Sequence, residues 1–82
     1  MKTVRYSLDA LKSLRRHANV ARRLRKAIED YAAGDGAHAN NVTRLVGSSA
    51  SRLRVGDYRV IFEETAGDLI VTKIGPRGDV YD

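Results

Sequence analysis

Ser51-Arg52-Leu53-Arg54-Val55-Gly56-Asp57-Tyr58-Arg59-Val60-Ile61-Phe62 is the stretch that decides the fold. Leu53 and Val55 alternate with Arg52 and Arg54 before Gly56-Asp57. Tyr58, Val60 and Phe62 alternate with Arg59 and Ile61 after it. Period-two alternation on both sides of a Gly-Asp pair predicts a β-hairpin. With glycine first, the pair suits a turn whose first central residue has a positive φ. Successive strand side chains point to opposite faces, so Leu53 and Val55 are offered to a core while Arg52 and Arg54 are displayed. The planar guanidinium fork matches phosphate. A solvated arginine-rich face that keeps the protein soluble accounts for the same residues equally well.

Downstream of the hairpin, Glu63 to Asp68 reads as a solvated turn and Leu69 to Ile74 as a further strand. That strand is nearly all apolar, which places it inside a sheet rather than at its edge. Gly75-Pro76 ends it. Upstream, residues 37 to 46 are the least periodic part, expected to be a loop that packs Val42, Leu45 and Val46 on the sheet edge. Before that come two amphipathic helices. Ser7 is a good N-cap with Asp9 in the first turn, and Leu8, Leu11 and Leu14 recur at three-residue spacing as far as His17. Ala18-Asn19 offers a break. Val20, Leu24, Ala27, Ile28 and Tyr31 then line one face of a second helix that Gly34 and Gly36 end. Residues 2 to 6 make a short first strand that adds at an edge.

The order is β-α-α-β-β-β. It predicts one α+β domain over residues 1–82, with helices at 8–17 and 20–33 on one face of a four-stranded antiparallel sheet.

At 82 residues with 43% hydrophobic and 30% charged residues, the chain has room for a single core. It has no cysteine, which removes disulfides and thiolate metal sites and suits a reducing compartment. No apolar run approaches transmembrane length and no signal-peptide apolar segment is present, so a cytoplasmic location without membrane contact is expected. The net charge is +5. Residues 2 to 26 hold Lys2, Arg5, Lys12, Arg15, Arg16, Arg22, Arg23, Arg25 and Lys26 against the lone acid Asp9, while acids gather at Glu29-Asp30 and Glu63-Glu64. Such asymmetry points to nucleic acid, an acidic protein or an anionic surface as partner.

Several chemistries find no residues here. His17 and His38 lie on different elements without carboxylates at ligand spacing, so no metal is expected. His17, at a helix end, has the helix dipole as its plain reason to exist. Glycine-rich phosphate loops, nucleophile elbows and paired carboxylates are missing, and no cofactor is implied. What remains is Arg52, Arg54 and Arg59 with Arg77 and Tyr81. Guanidiniums stabilise charge that builds up on a phosphate, and aromatic rings stack on splayed bases. From the residues alone, Tyr81 reads first as a tail residue packed on the sheet.

Leu45 with Gly47, R-L-R-V-G-D-Y-R-V-I-F at 52–62 and I-G-P-R-G-D-V-Y at 74–81 together resemble the RelE/ParE superfamily of bacterial toxins. The resemblance spans nearly the whole chain and agrees with its element order. It implies the toxin half of a type II toxin–antitoxin system, held by a cognate antitoxin. The RelE-like branch cuts mRNA on the ribosome by attack of a ribose 2′-OH on the neighbouring phosphate; the alternative is the ParE-like branch, which inhibits DNA gyrase. Under the RelE-like reading, Arg59 matches the arginine at the scissile phosphate and Arg77 the second active-site arginine. Tyr81 matches the C-terminal tyrosine that stacks on a base and assists proton transfer. Arg52 stands at the place of a strand lysine, and Arg54 matches a further RNA-binding basic residue. A second family lysine falls at Ala50 and is absent, and no residue of the hairpin matches a family general base.

Overall fold

The computed structural model describes residues 1–34 and 36–76. Its elements are β1 (Thr3–Tyr6), α1 (Leu8–Arg16), α2 (Ala18–Ala32), a 3-10 turn (Ala39–Asn41), β2 (Val42–Arg44), β3 (Ser51–Val55), β4 (Tyr58–Glu64) and β5 (Asp68–Pro76). These strands form one sheet in the order β1-β5-β4-β3-β2. The hairpin forms in the expected register, with Val55 opposite Tyr58 and Leu53 opposite Val60. Gly56 has φ +59°, whereas Asp57 has no positive φ, the φ pattern of a type II′ turn. The strand over Asp68–Pro76 lies inside the sheet, between β1 and β4.

Both helices cover one face. Leu53, Val60, Phe62, Leu69 and Val71 meet Leu14, Leu24, Ala27 and Ile28 in a single core. Ser7 caps α1 as expected: its Oγ accepts from the Ala10 amide at 3.0 Å and donates to the Thr72 carbonyl at 2.8 Å. Gly34, at φ +82°, closes the end of α2.

Four expectations change. The sheet is mixed and five-stranded, because β1 pairs with β5 in parallel, Val4 beside Leu69 and Tyr6 beside Val71. Hairpin turns force their own strands antiparallel, but β1 meets β5 across most of the chain, and no local turn dictates that direction. The fifth strand, β2, occupies part of the expected loop: Val42 pairs with Leu53 and Arg44 with Ser51. Val46 does not pack on the sheet edge but is fully exposed.

The leucine stripe of α1 is the third change. Leu14 is buried, but Leu8 and Leu11 are exposed, and Ala10 and Ser13 face inward instead. Each step of three residues falls 60° short of a full turn at 3.6 residues per turn, so Leu8 and Leu14 cannot share a face. The small side chains of Ala10 and Ser13 allow α1 to approach β5 closely. Lastly, the break between helices is a single residue, His17 (φ −111°, ψ 50°), and Asn19 lies inside α2 rather than capping it.

Candidate nucleic-acid interface

The sheet face turned away from the helices gathers the hairpin arginines. Arg54 stands directly opposite Arg59, and Arg52 opposite Ile61. On the far side of β4, Arg59 faces Gly75 and Ile61 faces Lys73. Arg59 thus sits on the middle strand, between an arginine on β3 and a residue without a side chain on β5. Only 9% of it is exposed, so the expected displayed arginine is a buried one. Arg52 is half-buried, and Arg54 and Lys73 are exposed. Like charges directly opposite on neighbouring strands repel.

Lys73 reaches this face through an irregularity. Phe62 pairs with Val71 but Ile61 pairs with Lys73, so Thr72 is an extra residue. Strict alternation from the buried Val71 would point Lys73 into the core; the bulge turns it outward and Ile74 inward. The Thr72 hydroxyl, donating to the Ile61 carbonyl at 3.2 Å, secures the distorted ladder. Sequence reasoning missed Lys73 because its strand reads as continuously apolar. The bulge is not coded by any glycine.

Charge along the sheet is polarised. At one end Lys2 Nζ pairs with Glu64 at 2.9 Å and Arg5 Nε with Asp68 at 3.1 Å, so the acids read as a solvated turn instead tie down β1. At the other end lie the hairpin tip, Arg54 and Arg59. A groove of about 300 Å³ beside the tip is bordered by Arg23, Lys26, His38 and Arg54 over a floor that includes Ala27 and Val55. Arg23 crosses Gly56 so closely that a Cβ there would stand 2.5 Å from its Nη2.

His17 does more than end a helix. Its Nδ1 lies 3.3 Å from the Tyr58 hydroxyl and the two rings meet edge to face, centroids 5.2 Å apart. It also borders a polar cavity of about 260 Å³ shared with Asp9, Arg16 and Lys73. No sequence signal announces this pairing, which joins residues 41 positions apart. Arg77 and Tyr81 lie outside the described residues. Among the described residues no group of three His, Asp or Glu side chains could hold a metal ion, and no helix is long and apolar enough to cross a membrane.

The architecture is shared with solved structures. A chain of the archaeal RelE–RelB complex from Pyrococcus horikoshii OT3 superposes with a TM-score of 0.76 at 23% identity, covering 96% of this chain and 98% of that one. A chain of the RelB–RelE antitoxin–toxin complex from Methanococcus jannaschii gives 0.73 at 21% identity, with 95% of each chain covered. YafQ from E. coli gives 0.68 at 16% identity over 100% of both chains. No model of a protein family and no curated protein sequence matches the chain. The fold is therefore that of the RelE and YafQ structures.

Proposed function

We propose that this chain is the toxin of a toxin–antitoxin pair and an endoribonuclease that cuts mRNA on the ribosome. One observation carries the reading: on a RelE-like fold, three arginines of adjacent strands, Arg52, Arg54 and Arg59, share the sheet face turned away from the helices. The reaction asks for what such a face offers. The ribose 2′-oxygen bonds to phosphorus, the bond from phosphorus to the 5′-oxygen breaks, and a 2′,3′-cyclic phosphate forms. The 2′-hydroxyl gives up a proton and the departing 5′-oxygen takes one. Negative charge rises on the non-bridging oxygens in between, and fixed guanidiniums stabilise it most when they are already in place. Arg59, held in the middle strand, is assigned the scissile phosphate, with Arg54 beside it and Arg52 on the neighbouring nucleotide. Arginine stays protonated and cannot take the proton. That step is assigned to Tyr81, with Arg77 as the second arginine at the phosphate.

The antitoxin partner rests on further observations. Two of the solved structures of this fold pair it with a Rel-type partner. On α1, Leu8 and Leu11 stand exposed next to Lys12 and Arg15, a face that suits an acidic, partly disordered segment folding on contact.

Induction of this gene alone, followed by primer extension on translated mRNA and by gel analysis of plasmid supercoiling, tests the reading. Cleavage of translated messages with normal supercoiling is the expected result. Intact messages with impaired supercoiling would transfer the protein to the gyrase-inhibitor class.

A further inference from the structure

Between the 3-10 turn and the arginine face lies a second, smaller cleft of about 90 Å³, lined by Asn40, Asn41, Thr43, Arg52 and Arg54. Its position is fixed by the backbone. His38 adopts a left-handed conformation (φ 64°) that turns the chain into the Ala39–Asn41 turn. Pairing of Val42 with Leu53 and Thr43 with Arg52 then locks that turn against β3. Among the described residues its lining holds two guanidiniums, two carboxamides and a hydroxyl. Asparagine is common at turns because its side chain bonds nearby backbone. Here neither side-chain amide makes such a bond among the described residues. Both residues line the cleft beside the cations.

We propose that this cleft is a nucleotide subsite: Arg52 and Arg54 take a backbone phosphate, and the Asn40 and Asn41 amides read the edge of the adjoining base. The inference rests on the RNA reading above and adds where the strand runs and what selects its sequence. A carboxamide presents a donor and an acceptor side by side, the pattern needed to pair with one base edge and refuse others. Guanidiniums offer donors alone and grip any phosphate. Unstacked bases of single-stranded RNA expose those edges to side chains. The strand's continuation is also marked. Asn41 and Arg54 border both this cleft and the groove of about 300 Å³, where Arg23 is placed for the next phosphate while Lys26 pairs with Asp30 at 3.1 Å.

Fluorescence anisotropy with short 2′-O-methyl RNAs, which cannot be cleaved, tests this when the oligonucleotides differ at one base and are compared at low and moderate salt. The wild-type protein is expected to prefer one base at one position by about tenfold. Asn40→Ala and Asn41→Ala should flatten that preference to within about twofold while keeping the affinity for the least favoured oligonucleotide. Asn41→Asp, which can only accept, should shift the preferred base. Arg54→Ala should weaken all oligonucleotides alike and reduce the salt slope by about 0.7. Retained preference in both alanine variants, or uniform loss of affinity in them at an unchanged melting temperature, overturns the subsite. Salt-dependent binding without any base preference overturns the subsite and leaves the RNA reading standing; no salt-dependent binding at all overturns both.

Discussion

Arg59 keeps its charge at any physiological pH, yet it is 9% exposed on the middle strand of a sheet. Its direct neighbour across the strand pair, Arg54, has the same sign, and like charges so placed repel. In the proposed reaction this guanidinium meets the scissile phosphate. Arg59→Ala should lower mRNA cleavage by about two to four orders of magnitude, or about 3–5 kcal/mol of transition-state stabilisation. Loss of its buried stem should cost about 1–2 kcal/mol in urea unfolding. Arg59→Lys keeps the charge but loses the fork, so it should regain stability and not rate. Tyr6 is the opposite case. Its hydroxyl is buried without a hydrogen bond of good geometry among the described residues, and the Arg25 guanidinium lies over the ring, 4.9 Å from its centroid. Burial raises its pKa, helped by Glu29 and opposed by the charge of Arg25. The folded state therefore holds the phenol proton more tightly than the unfolded state. That contribution is complete below the ordinary phenol value of about 10 and is lost as pH rises through the higher folded value. Tyr6→Phe should remove this alkaline loss from the stability profile and raise stability at neutral pH by up to about 1 kcal/mol. Which residues alternate was legible in the sequence; that Arg59 is buried was not, because its neighbours Arg54 and Gly75 come from other strands.

At the scale of elements, the hairpin was legible to the residue. Alternation sets its register and Gly56 its turn, and both were readable from adjacent positions. What the hairpin could not announce is Arg23, which reaches it from α2 and lies across Gly56. Gly56→Ala should cost about 1–3 kcal/mol, since an L side chain is strained at φ +59°. Most of that cost should survive in an Arg23→Ala background, because a guanidinium can swing aside and a turn backbone cannot; a double-mutant cycle in urea measures the division. The bulge of β5 was invisible for a different reason. L-I-V-T-K-I has no turn residue, and only the pairing with β4 shows Thr72 to be extra. Thr72→Val should lose the bond to the Ile61 carbonyl, about 1 kcal/mol, seen as a lower urea midpoint. The three leucines of α1 misled through their spacing: a repeat of three rotates around the helix, and only geometry shows that Ala10 and Ser13 form the packed side.

For the whole molecule, the α+β class, the helices on one face and the order of the last strands followed from local patterns. The parallel placement of β1 and the recruitment of β2 did not, because both are decided by pairings between distant segments. The candidate site divides in the same way. Its arginines were readable in sequence, whereas Lys73, His17 and the Asn40–Asn41 turn join them only through the fold. Charge distribution is likewise a property of the folded molecule. Lys2 and Arg5 pair with Glu64 and Asp68 at one end, while Arg23, Arg54 and Arg59 lie at the other, where Lys26 pairs with Asp30. The molecule measures 29 × 28 × 24 Å, and salt screens exposed charges beyond about 10 Å at 0.1 M ionic strength. The two ends therefore act independently. Arg5→Ala and Arg54→Ala each remove one unit from the net charge of +5, and a protein that met RNA through its overall charge would weaken equally in both. With the polarity seen here, Arg54→Ala should lose about tenfold in affinity for single-stranded RNA. Arg5→Ala should stay within about twofold of wild type. Equal losses in the two variants, measured by anisotropy at the same ionic strength, would remove the sheet's arginine end as the place where RNA is held.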